Sequence, residues 1–449
     1  MVKRRAAKIT VEEKRDEGEG SEGGEKRRKV KEGLVSRRVY FTKVAVLPDE
    51  LNLCSFSLCE LLECIRPILS LHFNFCVDVD FLLNQYPSSF SSFPITIVVG
   101  DRSSAGSTPA QLRREIKGMK VDNITVAGAR LPIPFGVHHS KLSLFEDGDG
   151  AVHVIVGTAN LIENDWEAKT QMFYYAKGVI KEQEVKDNPL FVNDLIDYLT
   201  AYNLPDTIEY WLNRLKYARF EETKNRLIGS YPGYHKGKEK EKVGHLAVKS
   251  ILKEFNKEDK DDSKMLIFQA SSIGSLGAKP STWLEPQLTM SLRGGKSIDG
   301  TRCYLIFPSV NDVKNSIEGF AGGGSLPYKK ETSERQEWLN GRMCRWRSEK
   351  WGRSRAIPHV KTYTQINSNR EIDWEIVTSA NLSKAAWGEE QKEKTQLMIR
   401  SYEVGVLLLD KDSFRLPYDY PIAKYQSGDK PWVIDDIDKL ILEEVTGST

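Results

Sequence analysis

The sequence predicts an α/β protein made of two similar halves, related by a pseudo-twofold, around one shared site. Three observations carry this. Strand-length apolar runs alternate with helix-period stretches from Tyr40 onward, a breaker-rich charged segment divides the chain near its middle, and a short polar pattern is written twice.

The elements follow in chain order. Residues 1–32 hold eleven Lys/Arg and eight Asp/Glu, with almost no large apolar side chain, so burial cannot offset the entropy of ordering them and they read as a disordered tail. Within it KRRKVK (Lys26–Lys31) has the composition of a nuclear-import signal or of a solvated charge run. PITIVVGDR (Pro94–Arg102) and NITVAGARL (Asn123–Leu131) read as buried strands. FVNDLIDYLTAY (Phe191–Tyr202) places Phe191, Leu195, Ile196 and Leu199 on one helical face. KNRLIGSYPGYHKGKEKEK (Lys224–Lys242) mixes Gly, Pro and charge, and strand-like KMLIFQAS (Lys264–Ser271) and CYLIFPSV (Cys303–Val310) follow it. The expected division is therefore a tail 1–32, a first domain 33–223 and a second domain 224–449.

Composition excludes several classes of function. The most apolar region, Leu51–Phe75, is interrupted by Glu60, Glu63, Arg66 and His72, and no run approaches the roughly 20 apolar residues of a membrane helix. The first residues lack the apolar core of a secretory signal, which points to the nucleus or cytosol. The six cysteines form no C-x-x-C pair, and Cys54, Cys59 and Cys64 are expected as reduced, buried thiols of a helix. Net charge is +2, and the tail alone carries +3, so any nucleic-acid footprint has to be a local groove. GGKS (Gly294–Ser297) is no phosphate loop, because the earlier glycine that motif requires is Met290.

The repeated pattern is the informative feature. VHHSKLSLF from Val137 and PHVKTYTQI from Pro358 each hold His-x-Lys at the start of a strand, and each leads through a turn (EDGDG, NSN) into a second strand closing on Ala-Asn-Leu. His139 to Asn160 spans 21 positions, and His359 to Asn381 spans 22. In a strand, i and i+2 share a face, so His139 lies beside Lys141 and His359 beside Lys361. Asn160 and Asn381 run into helix-like segments whose N-termini favour an anion. Two lysines, two asparagines and two imidazoles around one point make a phosphate pocket. There one neutral His can attack while the other, protonated, supplies a proton. The lysines supply the positive charge given to Mg²⁺ in many phosphoryl-transfer sites, so no metal or other cofactor is required. His138 points to the opposite face from His139 and is expected to be structural, while His72, His153, His235 and His245, with no partner pattern, are expected as structural or surface residues.

This paired H-x-K…N pattern resembles the phospholipase D superfamily, and its asparagines, where most of that superfamily has Asp, resemble the tyrosyl-DNA phosphodiesterases. The stretches FGVHHSK, ANLIENDW, AKTQ, SSIGSLG, GGGSLPY, GRSRAIPHVKTY, TSANLSKAAWG and QLMIRSYEVGVL are similar to that family's signatures, in its order. The resemblance covers about Arg38 to the C-terminus. It implies two α-β-α sandwich domains, a His139 nucleophile, and His359 as general acid and then base, with Lys141, Lys361, Asn160 and Asn381 on the phosphate. Gln171 and Glu403 match residues that orient the two histidines. Phe135, Ser272, Ser275, Ser383 and Lys384 match positions along the DNA strand. The implied reaction is hydrolysis of the bond between a DNA 3′ end and a trapped topoisomerase I peptide, through a covalent phosphohistidine, by a nuclear monomer with no membrane contact.

Two features depart from the family pattern. Phe75 stands where Tyr is frequent, and GRMCRWRSEKWGRSR (Gly341–Arg355) is more basic than expected. Trp338, Leu339, Met343 and Trp346 nearby follow helical spacing and are expected in the core, the arginines between them facing either a DNA groove or solvent. Two rival functions are another phospholipase D-type phosphodiesterase, a lipase or general nuclease, and a non-catalytic DNA-binding scaffold. Both triads being complete counts against the scaffold.

Overall fold

A computed structural model of the chain describes residues 33–102, 105–255, 263–297 and 302–446. The expected tail and its KRRKVK segment lie outside these. From Leu34 onward the described residues pack as one compact unit.

The described residues form two large sheets with one strand plan used twice. The first sheet is built on β1 (Arg38–Thr42), β2 (Pro67–Phe73), β3 (Ile95–Gly100), β4 (Ile124–Ala129), β5 (Leu142–Asp147), β6 (Val152–Gly157) and β7 (Met172–Ile180). Their spatial order is β1-β7-β6-β5-β2-β3-β4, with two short strands (Ser55–Phe56, Ala218–Phe220) added at one side. The second is built on β8 (Arg226–Ser230), β9 (Met265–Gln269), β10 (Cys303–Ile306), β11 (Met343–Cys344), β12 (Thr362–Ile366), β13 (Ile372–Thr378) and β14 (Glu403–Leu408). Its order is β8-β14-β13-β12-β9-β10-β11, the same plan shifted by seven strands.

Orientations repeat as well. β2, β3 and β4 run parallel, and β5, β6, β7 and β1 follow antiparallel. β9 to β11 and then β12, β13, β14 and β8 copy this. The first sheet ends at Phe220 and the second begins at Arg226.

β5–β6 and β12–β13 are the two hairpins anticipated from the repeated motif, placed at the middle of their sheets. β6 lies against β13 and β14 of the other sheet. One apolar cluster runs through this contact, from Val152, Val154 and Val156 to Val377, Val404 and Val406. Each such side chain, fully buried, contributes about 1.5–3 kcal/mol. The hairpin ends that carry the polar triads are thus held on the most apolar part of the molecule.

Three local expectations need correction. Leu58–Ile65 is a helix with a Ser57–Glu60 capping box, but its buried face is Leu58, Leu61, Leu62 and Ile65. Cys59 falls off that face and is half-buried, Cys64 is exposed, and Cys54, exposed too, lies outside the helix. Second, Trp338 to Trp346 is no continuous helix: a 3₁₀ stretch Glu337–Arg342 gives way to β11, because pairing with β10 at the sheet edge overrides the local preference. Leu339, Met343 and Trp346 are buried, while Trp338 is only partly covered. Third, Arg342 pairs with Glu285, Arg345 and Arg347 pair with Asp312, and Arg353 is buried over the Phe41 ring, so these arginines are committed within the chain.

Candidate active site

His139 and Lys141 lie just ahead of β5, and His359 and Lys361 just ahead of β12, in extended segments outside the ladders. Lys141 Nζ donates to the His139 carbonyl at 3.0 Å, and Lys361 Nζ makes the equivalent bond to the His359 carbonyl. Each lysine is thereby folded back beside its own histidine. Both are buried, and burial pulls Lys141 down to about 8 and Lys361 well below the ordinary lysine range. Lys361 is among the charges acting on His139, and Lys141 among those acting on His359, so the four groups lie close together.

The backbone of each half is stitched to the other in the same way. His139 N–H donates to the Tyr402 carbonyl at 2.9 Å, and the next residue, Glu403, takes the His139 Nδ1–H at 2.8 Å. His359 N–H donates to the Thr170 carbonyl at 3.0 Å, and the next residue, Gln171, contacts His359 Nδ1 at 2.7 Å. Behind them, Ser379 donates to Glu403 at 2.5 Å, and the Thr158 hydroxyl lies 2.6 Å from the Gln171 amide. Ser379 and Thr158 each stand two positions before the asparagine of their own motif. His139 and His359 are therefore each oriented by the opposite half, through Nδ1, which leaves Nε2 for the pocket. Gly136 permits this approach: a Cβ there would lie 2.1 Å from the Arg400 carbonyl oxygen.

Asn381 is fixed as a donor, since its Oδ1 accepts from the N–H groups of Ser271 (3.1 Å) and Ser272 (2.9 Å) and its NH₂ is left for a ligand. Asn160 is buried with no partner among the described residues for its side-chain oxygen, so either end of its amide can face the pocket. The helix N-termini expected beside these asparagines are single turns, Glu163–Glu167 and Lys384–Trp387, too short to carry a dipole of consequence. The Asn160 N–H is also already taken, by Asp165 Oδ2 at 2.6 Å.

Asp165 was not singled out from sequence. Its Oδ2 lies 3.2 Å from His359 Nδ1. Burial would raise this carboxyl, but His359 and the Asn160 N–H hold it well below the usual carboxylate range. Burial lowers both catalytic candidates, His359 to about 4, opposed chiefly by Asp165 for His359 and by Glu403 for His139. The only hint in the sequence was an acid five residues after Asn160 in a segment read as helix.

The five residues expected along a DNA strand are arranged unevenly. Phe135 is 89 % exposed with φ +62°. Ser275 is exposed and Ser272 half-buried, its hydroxyl donating to the Pro327 carbonyl at 2.9 Å. Ser383 caps the Lys384–Trp387 turn, and Lys384 pairs with Glu389 at 2.7 Å. Phe75 sets its ring edge against His139, 5.2 Å between centroids, with Lys141 Nζ 5.5 Å away. His138 is buried between the Asn74 carbonyl and the Tyr202 hydroxyl. A cleft of about 990 Å³ beside the Leu190–Thr200 helix holds none of these groups.

Two H-x-K…N triads on a twofold-repeated α/β fold, tied to each other across the two halves, are the groups a phosphodiesterase needs. Residues 38–426 match the family described as tyrosyl-DNA phosphodiesterase, and the chain belongs to that family. It is 43 % identical over 410 residues to a probable tyrosyl-DNA phosphodiesterase of Caenorhabditis elegans, covering 88 % of this chain and 89 % of that one. It is 32 % identical over 397 residues to tyrosyl-DNA phosphodiesterase 1 of Drosophila melanogaster, covering 81 % and 67 %. The crystal structure of the yeast tyrosyl-DNA phosphodiesterase superposes with a TM-score of 0.67 at 20 % identity, over 88 % of this chain and 99 % of that one, and shares the fold.

Proposed function

We propose that this chain hydrolyses the phosphodiester between a DNA 3′ end and the tyrosine of a trapped topoisomerase I peptide, and other 3′ adducts of similar chemistry, as a step of DNA repair. The observation that carries the reading is the crossed orientation of the two histidines, each held at Nδ1 and free at Nε2. His139 Nε2 attacks phosphorus and forms a P–N bond. The P–O bond to tyrosine breaks as His359 Nε2–H protonates the departing oxygen. Water then gives a proton to His359 Nε2, attacks the same phosphorus and breaks the P–N bond, which leaves a DNA 3′-phosphate. A phenol, with a pKa near 10, departs more readily than a sugar alcohol.

The bound phosphodiester adds negative charge beside the two lysines. It favours the protonated forms of Lys141 and Lys361 and the imidazolium form of His359, against the pull of burial. Lys141, Lys361, Asn160 and Asn381 hold the non-bridging oxygens, a task that otherwise falls to a cation. Phe135 stacks on a base, while Ser272, Ser275, Ser383 and Lys384 follow the backbone. The two domains meet near Thr223, and the protein acts as a nuclear monomer. No described helix is long and apolar enough to cross a membrane, and the family match favours DNA over lipid.

The test is a labelled oligonucleotide bearing 3′-phosphotyrosine, incubated in EDTA beside His139→Ala and His359→Ala. Conversion to the 3′-phosphate by the parent, lost in His139→Ala, supports the reading. Cleavage that needs added Mg²⁺ or Zn²⁺ refutes the mechanism, and no cleavage at all refutes the substrate.

A further inference from the structure

We infer that Asp165 is a positioning residue for His359: its carboxylate holds the Nδ1 proton, so that Nε2 can first give up and then take a proton. The inference rests on the hydrolase reading above and assigns a role to a group outside the two motifs.

Two groups can face Nδ1 of His359. Gln171 reaches it at 2.7 Å through its amide nitrogen, but the nitrogen and oxygen of that amide exchange places by a simple flip, so the ring can meet either N–H or oxygen. Thr158, behind that amide, does not decide the matter, because its hydroxyl also has the Met172 carbonyl at 3.2 Å to donate to and accepts from the Met172 N–H at 3.0 Å. With the amide N–H toward the ring, neutral His359 carries its proton on Nε2 and cannot accept one from water. Asp165 Oδ2, 3.2 Å from Nδ1, is an acceptor only. It selects the Nδ1–H tautomer and gives the imidazolium form its counter-charge.

The residue is placed to do this. It is 3 % exposed and sits on the one-turn helix Glu163–Glu167. The same oxygen accepts the Asn160 N–H at 2.6 Å, so one carboxylate ties the phosphate-binding asparagine of the first half to the proton-transferring histidine of the second. His139 has its own carboxylate in Glu403 but no amide competing for Nδ1. The ambiguity, and the need to resolve it, belongs to His359 alone.

Asp165→Asn keeps the shape and an oxygen for the Asn160 N–H while removing the charge. The parent and this variant are compared on a 3′-phosphotyrosyl oligonucleotide and on its 3′-(4-nitrophenyl) phosphate, whose leaving group needs no proton. The inference predicts a nitrophenolate burst of one equivalent at the parent's rate, followed by turnover slower by about 10- to 100-fold. Release of tyrosine slows from the first turnover, and the alkaline limb of its pH–rate profile moves to lower pH. A burst slowed as much as turnover, or no change in either, overturns the inference. Nitrogen-15 NMR of labelled histidine reads the tautomer directly: Nδ1–H on His359 in the parent and Nε2–H in the variant support it, and the same tautomer in both overturns it. A parent that cleaves neither substrate refutes the hydrolase reading instead, and the tautomer measurement still judges the pairing.

Discussion

His139 Nδ1 and Glu403 Oε2 lie 2.8 Å apart although 264 positions separate them in the chain. The contact joins the first motif to the second half, and the His359–Gln171 contact returns the favour in the opposite direction, so neither half contains a complete site. Replacing Glu403 by Gln keeps the side chain's size and removes its charge. The expected result is a kcat lower by roughly 10²- to 10⁴-fold, as for loss of a charged orienting partner of a catalytic histidine, with KM little changed. A rise in KM at constant kcat would place Glu403 in substrate binding instead.

Phe135 combines 89 % exposure with a left-handed backbone at φ +62°, a conformation that costs a residue with a Cβ about 1 kcal/mol or more. Phe135→Ala and Phe135→Gly are expected to weaken binding of a single-stranded substrate equally, by roughly 1–3 kcal/mol, the worth of one stacked base. In denaturant unfolding the Gly variant should exceed the Ala variant in stability by about 1 kcal/mol. Equal stability would mean that the turn is unstrained.

His72, His138 and His245 are buried, and burial lowers each to about 3. A histidine unfolded titrates near 6.5, so above that pH neither state binds the proton and the full stability is present. Below it the unfolded chain takes up protons that the folded chain refuses, and each histidine costs about 1.4 kcal/mol per pH unit. Glu375, raised to about 7 by burial, acts in the opposite sense, its contribution growing as pH falls from about 7 toward 4.5. Three groups against one leave a net loss. The urea midpoint should hold between pH 8 and 7 and fall steeply between pH 6 and 5; a flat profile to pH 5 contradicts the burial of neutral histidines.

Arg345 donates to Asp312, whose side chain is 3 % exposed. Arg345→Ala should leave the salt dependence of DNA binding unchanged, since a lost phosphate contact would lower its slope by about 1. Stability should drop, because Asp312 keeps only Arg347 as a cation at 3.0 Å. A shallower salt slope would return this segment to the DNA groove.

What was legible in the sequence is what repeats. His139, Lys141, Asn160 and their copies His359, Lys361 and Asn381 stand out because two hairpins carry them at nearly equal spacing, and β3 and β4 stand out as apolar runs. Family signatures located Gln171 and Glu403, but no local pattern says that each serves the histidine of the other half, since that depends on the His139–Tyr402 and His359–Thr170 backbone bonds. Asp165 escaped because one acid in a single helical turn has no periodicity to mark it. Met343 and Trp346 were misplaced on a helix because the sheet edge that captures β11 lies some forty residues away in sequence at β10.

The central claim is that His139 becomes covalently attached to the DNA 3′-phosphate. The most direct measurement incubates His359→Asn with the 3′-phosphotyrosyl oligonucleotide, stops the reaction at neutral pH and maps the modified peptide by mass spectrometry. The account predicts a nucleotidyl adduct on His139, labile in acid and absent when His139→Ala is added. An adduct on another residue, or sustained tyrosine release with no adduct at any time, would contradict it.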